Sequence, residues 1–222
     1  MIDAVVFDFD GLIVDTESSS FRAWVETYAE YGCTLVEEDW AHHIGTINGF
    51  DPYRTLCTRA TLPVPPEDEL RAAKRAREQE LVEAEPVRPG VVEWLDEIAA
   101  LQLPLAVASS SPTDWCGGHL TRLDLAARFA SVMCCDGERP PKPAPDVYLA
   151  ACEALGVEPG RALAVEDSVH GVTAAKAAGL WCVAVPGPLT RSLDFGAADV
   201  VLTSLADASL ADVIGRLETI AP

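Results

Sequence analysis

The chain has 222 residues, with 35 Asp or Glu against 16 Lys or Arg, for a formal charge of −19. That charge excludes the cationic footprint that nucleic-acid or anionic-membrane binding needs. No window reaches the ~18 uncharged apolar residues of a membrane span, and the start lacks the basic region of a signal peptide, so a soluble, cytoplasmic protein is expected.

The length suits one domain, or one domain carrying a smaller inserted one. Seven cysteines (Cys33, Cys57, Cys116, Cys134, Cys135, Cys152 and Cys182) form no C-x-x-C pair and accompany no histidine cluster. They read as free thiols in a reducing compartment, with Cys134 and Cys135 serving packing.

Ile2–Phe7 is a short apolar, β-rich run that ends in Asp8 and Asp10, with Gly11 directly behind to serve the turn. A strand that delivers two carboxylates to its C-terminal edge needs solvent, metal or hydrogen-bonding partners there. Asp15 or Thr16 can cap a helix carrying Phe21, Trp24, Val25, Tyr28 and Ala29 at helical spacing and ending at Gly32. Residues 34–85 offer no convincing strand. Short helical pieces are predicted around Glu37–His43 and Pro52–Ala60, then a long charged helix from about Pro66 to Ala84 whose first turn holds Glu67, Asp68 and Glu69.

From Pro89 the pattern alternates. A helix through Val91, Trp94, Leu95, Ile98 and Leu101 precedes a strand over Leu103–Ala108, and a helix near Trp115–Ala127 precedes a strand over Ser131–Cys135. A helix with Tyr148, Ala151, Cys152 and Leu155 stops at Gly156, and a strand follows over Ala162–Val165. A small-residue helix over Val172–Ala178 leads to strands at Trp181–Val185 and Asp199–Leu202 and a last helix through Leu210, Val213, Ile214 and Leu217. Apolar strands separated by helices imply an α/β fold: a Rossmann-like three-layer core around a mainly parallel sheet. The expected division is a core of residues 1–15 and 87–222 interrupted by an all-α insertion over 16–86.

In such sheets ligands bind beyond the C-terminal strand ends. There the chain delivers Asp8, the run Ser109-Ser110-Ser111 and the pair Glu166-Asp167, with Lys142 after the third strand. Acidic residues, a lysine and hydroxyls on one edge suit metal-assisted phosphoryl transfer. Mg²⁺ takes oxygen ligands, with Asp8 and Asp167 the obvious ones. A carboxylate nucleophile then splits the reaction into two easier steps. Asp10 can protonate the leaving oxygen and later activate water, while Lys142 and Ser109 stabilise the phosphoryl oxygens.

DFDGLIVDTE, VASSS, KPAPD and AVEDSVHGVTAAKAAG, in this order, resemble the four motifs of the haloacid dehalogenase superfamily over nearly the whole chain. The helical insertion resembles the C1 cap of its phosphoglycolate phosphatase-like and β-phosphoglucomutase-like enzymes. The resemblance implies Asp8 as nucleophile and Asp10 as acid/base whose carbonyl also binds Mg²⁺. It implies Ser109, Ser110 and Lys142 as phosphate ligands, and Asp8, Asp10, Glu166 and Asp167 as the metal set. Thr16, Ser20, Asn48 and Ser111 are expected to set specificity. The expected partner is a small phosphorylated metabolite bound by a monomeric protein, with neither nucleic acid nor membrane involved.

Asp10 separates phosphate-ester chemistry from the superfamily's dehalogenases, which lack an aspartate two residues after the nucleophile. Sugar phosphomutases carry an arginine after the cap glycine and a lysine after the serines; this chain has Asn48 and Pro112, and Ser20 where histidine is usual. A phosphatase is therefore favoured over a phosphomutase, with Arg54 as a candidate compensating cation. A phosphoaspartate receiver or other non-catalytic binding module is the alternative from another class. Receiver domains are shorter, lack the insertion and place their acceptor on a middle strand. His170 reads as a capping or surface residue, and His42 and His43 as a solvated helix face.

Overall fold

A computed structural model describes residues 1–41, 44–45, 50–137 and 139–220. Asn48, His42 and His43 lie outside the described residues.

The strands are β1 (Ala4–Phe7), β2 (Leu105–Ala108), β3 (Ser131–Met133), β4 (Ala162–Glu166), β5 (Trp181–Ala184) and β6 (Val200–Val201). They form one parallel sheet in the order β3-β2-β1-β4-β5-β6, so the chain's first strand is central. In register, Val5 sits between Leu105 and Leu163, and Phe7 between Val107 and Val165.

Alternation along the strands builds two unlike faces. Val5, Phe7, Leu105, Val107, Leu163 and Val165 point into a large-residue core shared with α5 (Val91–Ala100), α6 (Thr113–Arg122) and α9 (Leu210–Ile220). Ala4, Ala106, Ala108, Ala162, Ala164 and Ala184 face the other way. Their small side chains let α7 (Asp146–Leu155) and α8 (Val169–Ala177) pack against the sheet. Each fully buried Val, Leu or Phe contributes about 1.5–3 kcal/mol, so the sheet between two such layers is a rigid platform for its C-terminal edge.

Among the described residues between β1 and α5 the chain makes four helices: α1 (Thr16–Glu30), α2 (Glu37–Ala41), α3 (Pro52–Arg59) and α4 (Glu67–Ala84). They bury their own cluster of Trp24, Tyr28, Leu35, Leu56 and Leu70, separate from both faces of the sheet. Asp15 caps α1 by accepting from the Ser18 N–H, and Asp51 caps α3 through Tyr53 and Arg54. The chain's two crossings into and out of this insertion lie side by side, paired at Val14 and Val87.

Two expectations shift. The helix near Trp115 stops at Arg122 instead of running to Ala127, because Asp124 takes a left-handed conformation (φ 58) and a single 3₁₀ turn follows. The third strand ends at Met133, and the Cys135 N–H turns to the Ser111 carbonyl rather than a strand partner. Among the described residues no helix is long and apolar enough to cross a membrane.

Candidate active site

β1 hands over to the site through a hydrogen bond from the Asp8 N–H to the Val165 carbonyl (2.9 Å). Phe9 is fully buried, so the extended chain turns Asp8 and Asp10 to the same, open side. Gly11 then reverses the chain with φ +77, its carbonyl held by the Arg88 guanidinium.

Lys142 is 1% exposed, and its Nζ lies 2.6 Å from both Asp8 Oδ1 and Glu166 Oε1. The Tyr148 hydroxyl donates to the same Glu166 oxygen (2.6 Å). The other Glu166 oxygen accepts the Asp167 N–H (3.1 Å), the Ser168 N–H (3.3 Å) and the Ser168 hydroxyl (3.2 Å). Glu166 is thus satisfied by protein donors on both oxygens, and its side chain orients Lys142. Asp167 contrasts with it: its Oδ1 is buried without a hydrogen-bond partner.

Ligand oxygens of Asp8, Glu166 and Asp167 all lie within 4.8 Å of one another. Burial, opposed by Lys142 and reinforced by Glu166 and Asp10, pushes Asp8 up to about 8. Burial, then Asp8 and Glu166, hold Asp167 well above the carboxylate range. Burial works against the charge on Lys142, but Asp8 and Glu166 outweigh it and raise the ammonium. Three buried carboxylates therefore face one buried lysine, a shortfall of positive charge. An all-oxygen donor set with an orphaned carboxylate oxygen fits a hard divalent cation.

Gly11 shapes this corner. A Cβ at Gly11 would overlap the Asp167 carboxylate, and φ +77 disfavours any side chain. Gly11→Ala is expected to cost about 1–3 kcal/mol from the backbone alone and to weaken divalent-cation binding as Asp167 is displaced. Urea denaturation and a Mg²⁺ titration of activity check this; wild-type values in both would refute it.

Asp10 is gripped on both oxygens. Oδ1 accepts the Thr16 hydroxyl (2.9 Å) and the Trp115 indole N–H (2.8 Å), and Oδ2 accepts the hydroxyls of Ser109 (3.2 Å) and Ser111 (2.6 Å). Ser110 turns elsewhere. Its hydroxyl accepts the Lys142 N–H (3.2 Å) and donates to the Gly45 carbonyl (3.2 Å), seating Gly45 of the helical insertion on the core.

Beside Gly45 lies a cavity of about 130 Å³ lined by Asp8, Asp10, Ser109, Ser110 and Lys142. Asp10, Glu17 and Ser111 also line a second chamber of about 430 Å³ that reaches Ser20, Arg75 and Glu78 of the insertion. The small cavity is of phosphoryl size, and the larger can hold the remainder of a metabolite.

Of the expected specificity residues, Thr16, Ser20 and Ser111 line the larger chamber, and Asn48 lies outside the described residues. Ser20 accepts a hydrogen bond from Lys74 (2.8 Å), which also pairs with Glu78 (2.9 Å). Arg54 does not compensate for the missing cations: it is largely exposed and pairs with Asp51 (3.3 Å). Glu17, Lys74, Arg75, Trp115 and Tyr148 escaped sequence reasoning. Glu17 stood within the first motif, and burial, ahead of Asp10, pushes it up to about 8.

The profile of haloacid dehalogenase-like hydrolases matches residues 5–185, and the chain belongs to that family. It is similar along its full length to "Putative phosphatase YhcW" of Bacillus subtilis, 39% identical over 99% of both chains. It is 35% identical to the protein CbbY of Cereibacter sphaeroides, covering 93% of this chain and 94% of CbbY. A mutant CbbY from Rhodobacter sphaeroides, solved in complex with xylulose-(1,5)bisphosphate, superposes with a TM-score of 0.75 at 31% identity, covering 95% of this chain and 98% of that one. Within the superfamily the chain is of the phosphoglycolate phosphatase-like and β-phosphoglucomutase-like type, a phosphoric monoester hydrolase.

Proposed function

We propose that the protein is a Mg²⁺-dependent phosphatase that hydrolyses a small phosphorylated metabolite through an aspartyl-phosphate on Asp8. Residues 16–86 are its cap and residues 1–15 with 87–222 its catalytic core. The observation that carries this reading is Asp8 held 2.6 Å from Lys142 beside the orphaned oxygen of Asp167. Asp8, Asp167 and the Asp10 carbonyl would hold the ion, with Glu166 fixing Lys142 behind them. When bound, Mg²⁺ supplies the positive charge that lets an anionic carboxylate approach an anionic phosphate.

In the first step an Asp8 oxygen bonds to phosphorus and the ester P–O bond breaks, while Asp10 gives its proton to the leaving oxygen. Asp10 next takes a proton from water as that water attacks phosphorus, the bond to Asp8 breaks, and inorganic phosphate leaves. Lys142, the Ser109 hydroxyl and the Ser110 backbone N–H hold the phosphoryl oxygens through both steps. Gly45 seated over Ser110 limits bulk water at the small cavity. The unpaired thiols suit a cytoplasmic setting.

A panel of phosphorylated metabolites, scored for released phosphate with Mg²⁺ and with EDTA, tests the reading. Arg75 lines the larger chamber without an ion-pair or hydrogen-bond partner among the described residues, so compounds with a second anionic group belong in the panel. Mg²⁺-dependent release from at least one alkyl phosphate is expected. No release from any compound would sink the proposal.

A further inference from the structure

Trp115, His119 and Arg122 lie at i, i+4 and i+7 of α6, on one helix face. The Trp115 N–H donates to Asp10 Oδ1, the same oxygen that takes the Thr16 hydroxyl. Its ring meets His119 edge-on with centroids 4.4 Å apart. His119 is buried and stacks on Phe9, the residue between the two site aspartates, at 6.2 Å. Its Nδ1 accepts the Arg122 Nε–H (3.3 Å). Arg122 in turn donates to the carbonyls of Val82 (3.2 Å), Glu83 (3.2 Å) and Glu85 (3.4 Å).

Those carbonyls belong to the last turn of α4 and the linker that returns the chain to the core. Helix ends leave such groups without intrahelical partners, and here a core arginine takes them. Asp10 therefore touches both crossings between cap and core: the outgoing one directly through Thr16, the returning one through Arg122, His119 and Trp115. Packing alone would require the indole ring at this position but not its N–H aimed at a carboxylate 2.8 Å away.

We propose that Trp115 is a positioning residue for Asp10 and that α6 ties its indole to the cap's return linker, so that the carboxyl is in register for proton transfer when that linker is seated. This rests on the assignment of Asp10 as the acid/base.

The test exploits leaving groups. For a phosphatase, kcat/KM reports the steps through loss of the leaving group. An alkoxide needs the proton that Asp10 gives, whereas p-nitrophenolate leaves as a stable anion. Trp115→Phe keeps the ring and deletes the donor. Its kcat/KM should fall roughly 10- to 100-fold, part of what general acid catalysis supplies, with the alkyl phosphate turned over fastest in the panel, and by less than about threefold with p-nitrophenyl phosphate. Arg122→Gln should show the same selectivity at smaller size and provides a second reading if the Trp115 variant folds poorly, as judged by thermal melting. Asp10→Asn is the reference for a full, selective loss. Selective loss in Asp10→Asn with equal or no loss for the two substrates in Trp115→Phe and Arg122→Gln overturns the positioning role alone. Equal loss in Asp10→Asn overturns the acid/base assignment and the positioning role together.

Discussion

Asp8→Asn is expected to lower kcat for phosphate release by roughly four orders of magnitude or more and to leave the fold intact. The carboxamide has nearly the shape of the carboxylate and can still accept from Lys142, but it is not a nucleophile. The same change should stabilise the protein in EDTA. Asp8 is held up to about 8 by burial, ahead of the opposing pull of Lys142 and the push of Glu166 and Asp10, whereas an unfolded aspartate titrates near ~3.9. Between these values the native state keeps a proton that the unfolded chain has released, so the contribution of Asp8 to stability declines as pH rises through that window. Melting in EDTA at about pH 5 and pH 8 should therefore show the variant's advantage widening at the higher pH. Added Mg²⁺ should stabilise the wild type much more than the variant. Wild-type turnover, or a variant that no longer melts cooperatively, would remove Asp8 from its assigned role.

Much of this site was legible from the chain because parallel-sheet grammar is strict. Continuous apolar strands of four or five residues flanked by helices fix both the sheet and the edge on which its ligands gather. Asp8, Ser109, Glu166, Asp167 and Lys142 needed no more than that to be brought together. The supports behind them were not legible. Tyr148 sits at an apolar position of α7, and nothing in its spacing says that its hydroxyl meets Glu166; that follows from how α7 lies against the sheet.

Lys74 reads as one more charge on a polar helix, yet it is 8% exposed, held between Glu78 and Ser20 and against the Trp24 ring. Its burial depends on α1 packing against α4, which no local pattern encodes. Trp115 was visible as the start of a helix, but its N–H found Asp10 through tertiary placement of α6. The resemblance implies Glu166 within the metal set; that its Oε1 is also held by Tyr148 and Lys142, 18 and 24 residues away in sequence, follows from packing, whereas its Oε2 accepts from its neighbours Asp167 and Ser168. Local signals thus identify the groups that carry chemistry, and long-range packing decides which of them are held by others.

The same charge balance gives Lys142→Met the opposite stability effect from Asp8→Asn, although both should slow the enzyme. Methionine replaces the stem of the lysine and leaves the carboxylates of Asp8, Glu166 and Asp167 buried together with no counter-charge beyond the Arg88 guanidinium near Asp167. Breaking a buried ion pair by removing one partner costs about 3–5 kcal/mol, and the loss of a donor to the transferring phosphoryl group lowers kcat by a further ~10²–10³-fold. Part of the stability loss should return with Mg²⁺, because the ion supplies charge to the same carboxylates, but the activity should not, because the methionine side chain offers the phosphoryl group no N–H donor. Urea denaturation in EDTA and in Mg²⁺, alongside phosphate release, measures both halves. A Lys142→Met protein as stable as wild type in EDTA would mean that the acidic cluster is neutralised by some other group. A variant whose turnover Mg²⁺ restores would mean that Lys142 serves to balance charge and makes no separate contact with the phosphoryl group.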